Sequence, residues 1–324
     1  MATIKDVAEY AGTSVSTVSR YLNNHPYISE KNRLKIKEAM DVLDYTPNGV
    51  ATQLRSKKGS MIGILVSRIT NPFSSYLVDA IEREAKALGY NVLMMQTYDD
   101  QHAEFKMLEL LKQKIINGLI MCSVESDAHK LDSYRKYGPI VLCNETLSGT
   151  DIPQIVTRQE EAAYNAISYL INAGYRKIAY CTGGSSRTKG VERALFDAEV
   201  FMKREWIFKE IHSIDDGRKV AHKILDMPKT LKPDAIFANS DEVASGIIDV
   251  LVDANKEIPQ YLAVMGFDNQ PYSSMLKVPL TTIAQPVGTL GKEAVHVMIA
   301  ALEDKQYQID SSKLELKFIK RESA

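Results

Sequence analysis

The chain of 324 residues is too long for one compact core, and with 45% hydrophobic and 25% charged residues it has the composition of a folded protein of two or three domains. Its start, MATIKDVAEY, lacks the pattern of a signal peptide, and no apolar stretch approaches the ~20 residues that span a bilayer, so we expect a cytoplasmic protein with no membrane partner. The net charge is −1, but charge is unevenly distributed along the chain, because residues 1–60 carry nine Lys or Arg against six Asp or Glu. This excess of positive charge is a weak indication of nucleic-acid binding.

The first 60 residues predict short helices only. Thr3 can cap a helix that runs through Ala11, Gly12 permits a turn, and either Ser14 or Ser16 can cap a second helix, SVSTVSRYLNN. Two helices joined by a short turn with glycine predict a helix-turn-helix, whose second helix enters the major groove of DNA. The same pattern also fits a capped surface helix without a DNA role. The candidate DNA contacts at the start or on the open side of the second helix are Ser14, Val15, Ser16, Thr17, Ser19 and Arg20.

A third helix follows with Ser29 as its cap and with Ile36 and Ala39 on one apolar face, so three short helices can close a small core. Its basic side chains suit phosphate contacts, which supply affinity but carry no sequence information. These residues are Lys31, Arg33, Lys35 and Lys37.

After Ser60, apolar runs of five to seven residues alternate with amphipathic stretches of ten to sixteen. We predict strands at MIGILVS, NVLMMQ, GLIMCS, PIVLCN, KIAYCT, DAIFAN and LAVMGF, apolar on consecutive positions as in strands buried on both faces. Helices are predicted over 76–88, 104–113, 160–173, 242–254 and 290–302. This alternation predicts a doubly wound α/β fold with room for two lobes, in which ligands bind beyond the carboxyl ends of the strands.

The stretch IKDVAEYAGTSVSTVSRYLNN, continuing through ISEKNRLKIKEAMDVLDYTPN to GVATQL, closely resembles the headpiece of LacI/GalR transcription regulators, and MGFDN, PLTTIAQP and IKRES are similar to later motifs of that family. The resemblance implies an all-α helix-turn-helix headpiece over 1–46, a hinge helix and linker over 47–60, and a two-lobed periplasmic-binding-protein-like domain over 61–324. The lobes would comprise about 61–157 with 288–309, and about 158–287 with 310–324. It also implies a homodimer on double-stranded operator DNA, and the lack of C-terminal leucine heptads favours a dimer over a tetramer.

The resemblance assigns the segment 48–54 to a hinge helix that forms on the operator and inserts a leucine, here Leu54, into the minor groove. Gly49 and Thr52 are poor helix formers, which suits a helix that forms only on DNA. Alternatively, Leu54 packs between the lobes. Because Thr52 stands where the family commonly has arginine, we expect operator affinity to depend more on Arg55, Lys57 and Lys58. The further DNA contacts that the resemblance implies are Thr3, Asn23, Asn48 and Ala51.

The candidate effector ligands all follow predicted strands. By resemblance, Asn71 and Phe73 lie in a sugar-facing loop, Asn144 takes a position often occupied by aspartate, and Arg193 matches the effector arginine. The family usually has glycine and an aromatic residue a few positions after this arginine, whereas this chain reads VERALFDAEVF.

Three more candidates complete this set, which are Asp241, Asp268 and Gln285. Carboxylates, amides, a guanidinium group and an aromatic ring are the mixture that a neutral polyol needs. Structural roles are the alternatives: Asp241 as a helix N-cap, Phe73 as a core residue, and Asp268 paired with Arg193.

We find no pattern for catalysis. The segment GGSSRTKG lacks the GK followed by Ser or Thr of a P-loop, the six histidines are scattered, and the three cysteines lie in apolar runs as buried thiols. We therefore expect a protein that is not an enzyme and that binds neither a metal nor a cofactor. The sequence predicts a sequence-specific transcriptional repressor controlled by a sugar or sugar phosphate of a carbohydrate-utilisation operon. The alternatives are a purine-type corepressed regulator and a global regulator controlled by a partner protein.

Overall fold

The computed structural model describes residues 2–22, 25–45, 61–182 and 186–324. Two compact units make up the chain. The smaller unit contains the helices α1 (Ile4–Tyr10), α2 (Val15–Leu22) and α3 (Glu30–Val42).

The three helices enclose a small apolar core. Thr3 caps α1 in a reciprocal capping box with Asp6, and Ser29 caps α3 by accepting from the Asn32 backbone N–H. These caps fix where the helices begin, and the apolar positions three or four residues apart then point inward. The buried residues of this core are Val7, Ala8, Ala11, Val18, Ile36 and Ala39.

The larger unit is an alternation of strands and helices. Its first part contains β1 (Met61–Val66), α4 (Pro72–Ala87), β2 (Asn91–Gln96), α5 (Gln101–Lys112), β3 (Gly118–Met121), α6 (Ala128–Tyr134), β4 (Ile140–Cys143) and β5 (Gln154–Ile155). Its second part contains α7 (Gln159–Asn172), β6 (Ile178–Thr182), α8 (Ser186–Asp197), β7 (Ile207–Lys209), α9 (Ile214–Asp226), β8 (Ala235–Phe237), α10 (Asp241–Asp253) and β9 (Ala263–Met265). The last elements are β10 (Thr282–Ala284), α11 (Val287–Leu302) and β11 (Lys317–Ile319).

The strands form two separate sheets, each the centre of one lobe. The first has the order β2-β1-β3-β4-β5 and the second the order β7-β6-β8-β9, while β10 and β11 form an antiparallel pair. Parallel pairing links β1 to β3 and β3 to β4, and likewise β6 to β8 and β8 to β9. Helix α11 returns to pack on β3 and β4 of the first lobe. These crossovers are those of a doubly wound α/β fold.

Some elements differ from the sequence prediction. Strand β2 is only partly buried, because it lies at the edge of its sheet. Helices α6, α8 and α9 and the strands β5, β7, β10 and β11 were not predicted. Within the described ranges, no helix is long and apolar enough to cross a membrane.

The three cysteines are free thiols. Cys122 directly follows β3 and Cys143 ends β4, so these two residues are neighbours in space although distant in sequence. A hydrogen bond with Cys143, together with burial, holds the pKa of the Cys122 thiol well above its ordinary value.

Candidate functional site

The smaller unit presents a polar surface on α2. Ser14 accepts a hydrogen bond from the Thr17 backbone N–H at 3.2 Å and so caps this helix, which decides between the two predicted caps. Ser14, Val15, Ser16 and Arg20 are exposed, whereas Thr17 and Ser19 are half-buried and Val18 lies in the core. The exposed first turn of α2 can therefore reach into a groove of DNA.

Helix α3 adds basic side chains to this unit. Lys31, Lys35 and Lys37 are exposed, and the Arg33 guanidinium donates to the His25 carbonyl oxygen at 3.0 Å. The three lysines can contact phosphates, while Arg33 also ties the loop before α3 to the helix.

Several predicted DNA contacts lie outside the described residues. They are Asn23, Asn48, Ala51, Leu54 and Arg55, together with the rest of the hinge segment 47–60.

In the larger unit, loops from the carboxyl ends of both sheets line one cavity of about 710 Å³. The first lobe contributes Ser67, Arg68, Asn71, Asp99 and Glu125, which follow β1, β2 and β3, and the second contributes His212, Asp216 and Glu242. A second cavity of about 610 Å³ also borders α4, and its lining includes Tyr76, Asp268, Gln270 and Gln285. Both volumes fall in the range of small-molecule sites, and the position is where the strand-end rule expects a ligand.

Arg187 lies beside Asp268, a lining residue of the second cavity, although it does not itself line either cavity. It comes from the first turn of α8, its Nε donates to the Gln159 side chain at 2.8 Å, and its Nη1 donates to the Asn239 carbonyl oxygen. Its Nη2 lies 3.9 Å from the Asp268 carboxylate. Burial lowers the pKa of this guanidinium, and the neighbouring carboxylates oppose that shift. Because its side chain is only 17% exposed, Arg187 is a fixed, nearly dry hydrogen-bond donor.

Asp268 and Gln285 contribute hydrogen-bond acceptors next to Arg187. The Gln285 amide nitrogen donates to the Asp268 carboxylate at 2.7 Å. Burial raises the pKa of Asp268 to about 7, against the opposing effect of Arg187. The Gln285 amide oxygen is buried and accepts no hydrogen bond from any described residue. It is therefore an unsatisfied buried acceptor of a residue that lines the second cavity.

Asp241 does not face the cleft. It is fully buried, and its carboxylate accepts hydrogen bonds from the Gln270 backbone and from the hydroxyls of Ser273 and Thr282. Ser240, not Asp241, caps α10. Asp241 is thus a structural residue that positions the loop after Asp268.

The structure brings only some of the remaining residues predicted to bind the effector to the cleft. Asn144, with φ of 64°, accepts from the Gln159 side chain at 2.9 Å and so joins the network of Arg187. Asn71 lines the larger cavity, and its side chain accepts from the Phe73 backbone N–H. Phe73 is half-buried and is not among the described residues that line the two cavities.

The structure does not bring Arg193 to the cleft. Its guanidinium is paired with Glu160 and Glu161 at 2.8 Å each and lies over the Tyr164 ring, on a surface of α7 and α8. A signal for Arg187 existed in the sequence, because the glycine expected a few positions after the effector arginine follows Arg187, as Gly190.

Glu145 is a residue with a shifted pKa that the sequence analysis missed, and it is not among the described residues that line the two cavities. It follows Asn144 at the carboxyl end of β4 and lies near Glu125 and Arg187. Burial, with a further contribution from Glu125, raises the pKa of Glu145 to about 7, while Arg187 opposes the shift. Within the described ranges, no group of three or more metal-binding side chains converges.

The comparisons with known proteins agree with this arrangement. A family model for bacterial regulatory proteins of the lacI family matches residues 3–48, and one for periplasmic binding proteins and the sugar-binding domain of the LacI family matches residues 59–322. The NTD biosynthesis operon regulator NtdR of Bacillus subtilis is 39% identical over 93% of each chain. Catabolite control protein A of Priestia megaterium (97% of this chain, 96% of the relative) and the repressor PurR of Vibrio vulnificus (95% and 94%) are each 31% identical.

Solved structures are similar as well. A LacI family regulator from Lactobacillus casei, solved with bound sucrose, has a TM-score of 0.77 and 36% identity over 82% of this chain and all of its own. The Lac repressor dimer bound to operator has a TM-score of 0.83 and 26% identity over 99% of this chain and 98% of its own.

The two units together define a DNA-binding transcriptional regulator whose second domain binds an effector. The chain belongs to the LacI family of bacterial regulatory proteins. Its relatives are regulators and not enzymes, in agreement with the sequence analysis.

Proposed function

We propose that this chain is a repressor that binds a near-palindromic operator as a homodimer and releases it when a sugar enters the cleft. In this proposal, the first turn of α2 reads bases in the major groove, the lysines of α3 contact phosphates, and Leu54 enters the minor groove. Half-sites about one helical turn apart would match the two-fold symmetry of the dimer.

The observation that carries the proposal is the pairing of donors and acceptors around Arg187. Asp268 and Gln285 line a cavity to which both lobes contribute, and the Arg187 guanidinium lies beside the Asp268 carboxylate. Such planar groups make paired hydrogen bonds to adjacent hydroxyls of a sugar. In the proposal Arg187 takes the role that the sequence analysis gave to Arg193.

The relatives support this proposal. The Lactobacillus casei regulator has been solved with sucrose, with glucose and with Tris, and the Lac repressor with operator as a dimer. A purine-type corepressed regulator and a regulator controlled by a partner protein are the competing functions, and the experiment below separates them.

The test is a gel shift of the purified chain on its gene's own promoter region, with random DNA of equal length as the control, at moderate salt. We expect binding to the promoter that weakens by roughly 5- to 150-fold with one sugar of a panel, the usual size of allosteric coupling. Equal binding to both DNAs, with or without small molecules, contradicts the proposal. Tightening by a purine supports corepression.

A further inference from the structure

Two of the three cysteines lie on neighbouring strands, at the carboxyl end of the first sheet. Strands β3 and β4 are parallel, and their last registered pair is Met121 with Leu142. The next pair along both strands is Cys122 with Cys143. The Cys122 backbone N–H donates to the Leu65 carbonyl oxygen at 2.7 Å, so the chain still follows the sheet there. Neighbouring strands lie ~4.8 Å apart, and disulfides join Cα atoms roughly 4.4–6.8 Å apart, so this spacing permits a disulfide.

Both thiols point to the same face of the sheet. Side chains alternate along a strand, so Cys122 shares its face with Gly118. A β-carbon at Gly118 would overlap the Met298 sulfur, which places this face against α11. Cys143 faces α11 as well, because its Sγ donates to the Leu290 carbonyl oxygen at 3.8 Å. The two sulfur atoms therefore lie side by side between the sheet and α11, in agreement with their hydrogen bond.

The two thiols differ in how an oxidant reaches them. Cys122 is half-buried, whereas Cys143 is fully buried. The raised pKa of the Cys122 thiol means that little of it is thiolate, and the thiolate is the form that reacts with oxidants. Oxidation is therefore slow, and the pair stays reduced until an oxidant is sustained.

We propose that Cys122 and Cys143 are a redox pair that closes to a disulfide within one chain when a hydroperoxide is present. The Cys122 sulfur attacks the O–O bond of hydrogen peroxide, which gives a sulfenic acid and one water. The Cys143 sulfur then attacks the sulfenic sulfur, and a second water leaves. Two thiols and one peroxide thus give one disulfide and two waters. A dithiol reductant reverses the reaction by returning two electrons and two protons.

The disulfide acts on the cleft through the neighbours of Cys143. Asn144 follows it directly and accepts from the Gln159 side chain, which in turn accepts from the Arg187 Nε. The new bond also removes the S–H that Cys143 donates to Leu290, near the start of α11, where four residues line the second cavity. This effect on the effector rests on the proposed function, whereas formation of the disulfide does not.

The experiment is a count of free thiols in the full-length protein before and after hydrogen peroxide, by alkylation in denaturant and mass spectrometry. We expect the count to fall from three to one per chain, with Cys181 as the remaining thiol, and to return to three with dithiothreitol. Tryptic peptides should show Cys122 joined to Cys143. Three thiols after peroxide, a disulfide between chains, or oxidation of Cys122 without a disulfide overturns the inference.

Two variants locate the bond. Cys122→Ser should retain both of its thiols under the same peroxide treatment, because the buried Cys143 has lost its partner. Cys181→Ala is the matched control, because Cys181 lies in β6 of the other lobe, and its count should fall from two to none. If either variant does not fold, the peptides of the unchanged chain still decide the result.

Gel shifts of the oxidised and reduced protein measure the consequence for the cleft. With the panel sugar that weakens promoter binding, the oxidised protein should need about 10-fold more sugar for the same release, as for the loss of one hydrogen bond to a charged group. Cys122→Ser should give the same curve before and after peroxide. An unchanged response of the disulfide-bonded chain overturns control of the cleft by the pair. Absence of promoter binding contradicts the proposed function, and the thiol count then decides the redox pair by itself.

Discussion

Arg187 makes three kinds of interaction through one largely buried guanidinium. Its central carbon lies 3.8 Å from the centroid of the Phe267 ring, its nitrogen atoms donate to Gln159 and Asn239, and Asp268 is its charged neighbour. Stacking holds the plane of the group, and the hydrogen bonds fix its rotation. The group is thus oriented before a ligand arrives, which lowers the entropy lost on binding.

Replacing Arg187 with alanine should abolish the response to effector while operator binding persists. We expect affinity for a neutral sugar to fall about 10- to 100-fold, since hydrogen bonds to a charged group contribute about 1.5–3 kcal/mol. A neutral sugar is the appropriate probe, because a charged ligand would also respond to the loss of the guanidinium charge. Calorimetry and a gel shift with effector measure the two effects.

Arg193→Ala is the matched control for this prediction, because Arg193 is 39% exposed and binds Glu160 and Glu161 on the surface of α7. It should remain fully responsive. A responsive Arg187→Ala, or an unresponsive Arg193→Ala, would return the effector role to Arg193.

The two arginines also show what sequence reasoning can and cannot decide at this scale. Residue type and strand-end position identified Asn144 and Asp268, which the structure joins to the network around Arg187, whereas the candidate Gln285 follows β10, a strand that was not predicted. Arg187 and Arg193 are six residues apart, and the choice between them depends on which face of α8 each one occupies. The sequence analysis did not predict that helix. Asp241 was misleading for a related reason, because a carboxylate at a strand end can bind backbone groups as readily as a ligand.

At the scale of elements, the helices α7 and α8 touch through a glycine. A β-carbon at Gly190 would overlap the backbone carbonyl oxygen of Glu160, so only glycine permits this close approach. The contact matters for the cleft, because α7 carries Gln159 and α8 carries Arg187, which are hydrogen-bonded to each other. The spacing of two helices thus sets the position of Arg187.

Gly190→Ala should therefore separate α7 from α8 and destabilise the chain by about 1–3 kcal/mol, the usual effect of overpacking. Effector affinity should fall as well, because Arg187 moves away from Gln159. Urea unfolding and calorimetry measure the two quantities. Gly288→Ala is the control, because nothing lies within 4 Å of a β-carbon at that helical position, and its stability should equal or exceed that of the unchanged chain. Equal stability of both variants would rule out the packing argument.

The elements differ in how far the sequence reveals them. All seven predicted strands are present in the structure, because each lies in a long apolar run bounded by polar residues. Even the edge strand β2 was predicted from such a run. The strands β5, β7, β10 and β11 are two or three residues long and were not predicted, whereas β8 and β9, also of three residues, were predicted because they lie in the longer apolar runs DAIFAN and LAVMGF. Helix α9 has an apolar stripe at Val220, Ala221 and Ile224, so its absence from the prediction was an oversight of a readable pattern.

At the scale of the whole second domain, two sheets direct their carboxyl ends toward one cleft. The lining therefore comes from both lobes, with Glu125 from the first and Glu242 from the second. A ligand that binds carboxylates on both sides pulls the lobes toward one relative orientation, because its contacts are complete only there. In the proposed function, this differential binding is the physical source of control, and it depends on residues from both lobes and not on one sequence motif.

Coupling of this kind acts in both directions, and its sign is testable. If effector binding releases DNA, operator must weaken effector binding by the same factor, roughly 5- to 150-fold for a coupling of 1–3 kcal/mol. We expect calorimetric titration of effector to give a larger dissociation constant for the dimer saturated with operator duplex than for the free dimer, while a random duplex of equal length leaves it unchanged. A smaller constant on operator would make the effector a corepressor, and equal constants would mean that the cleft does not control the DNA-binding unit at all.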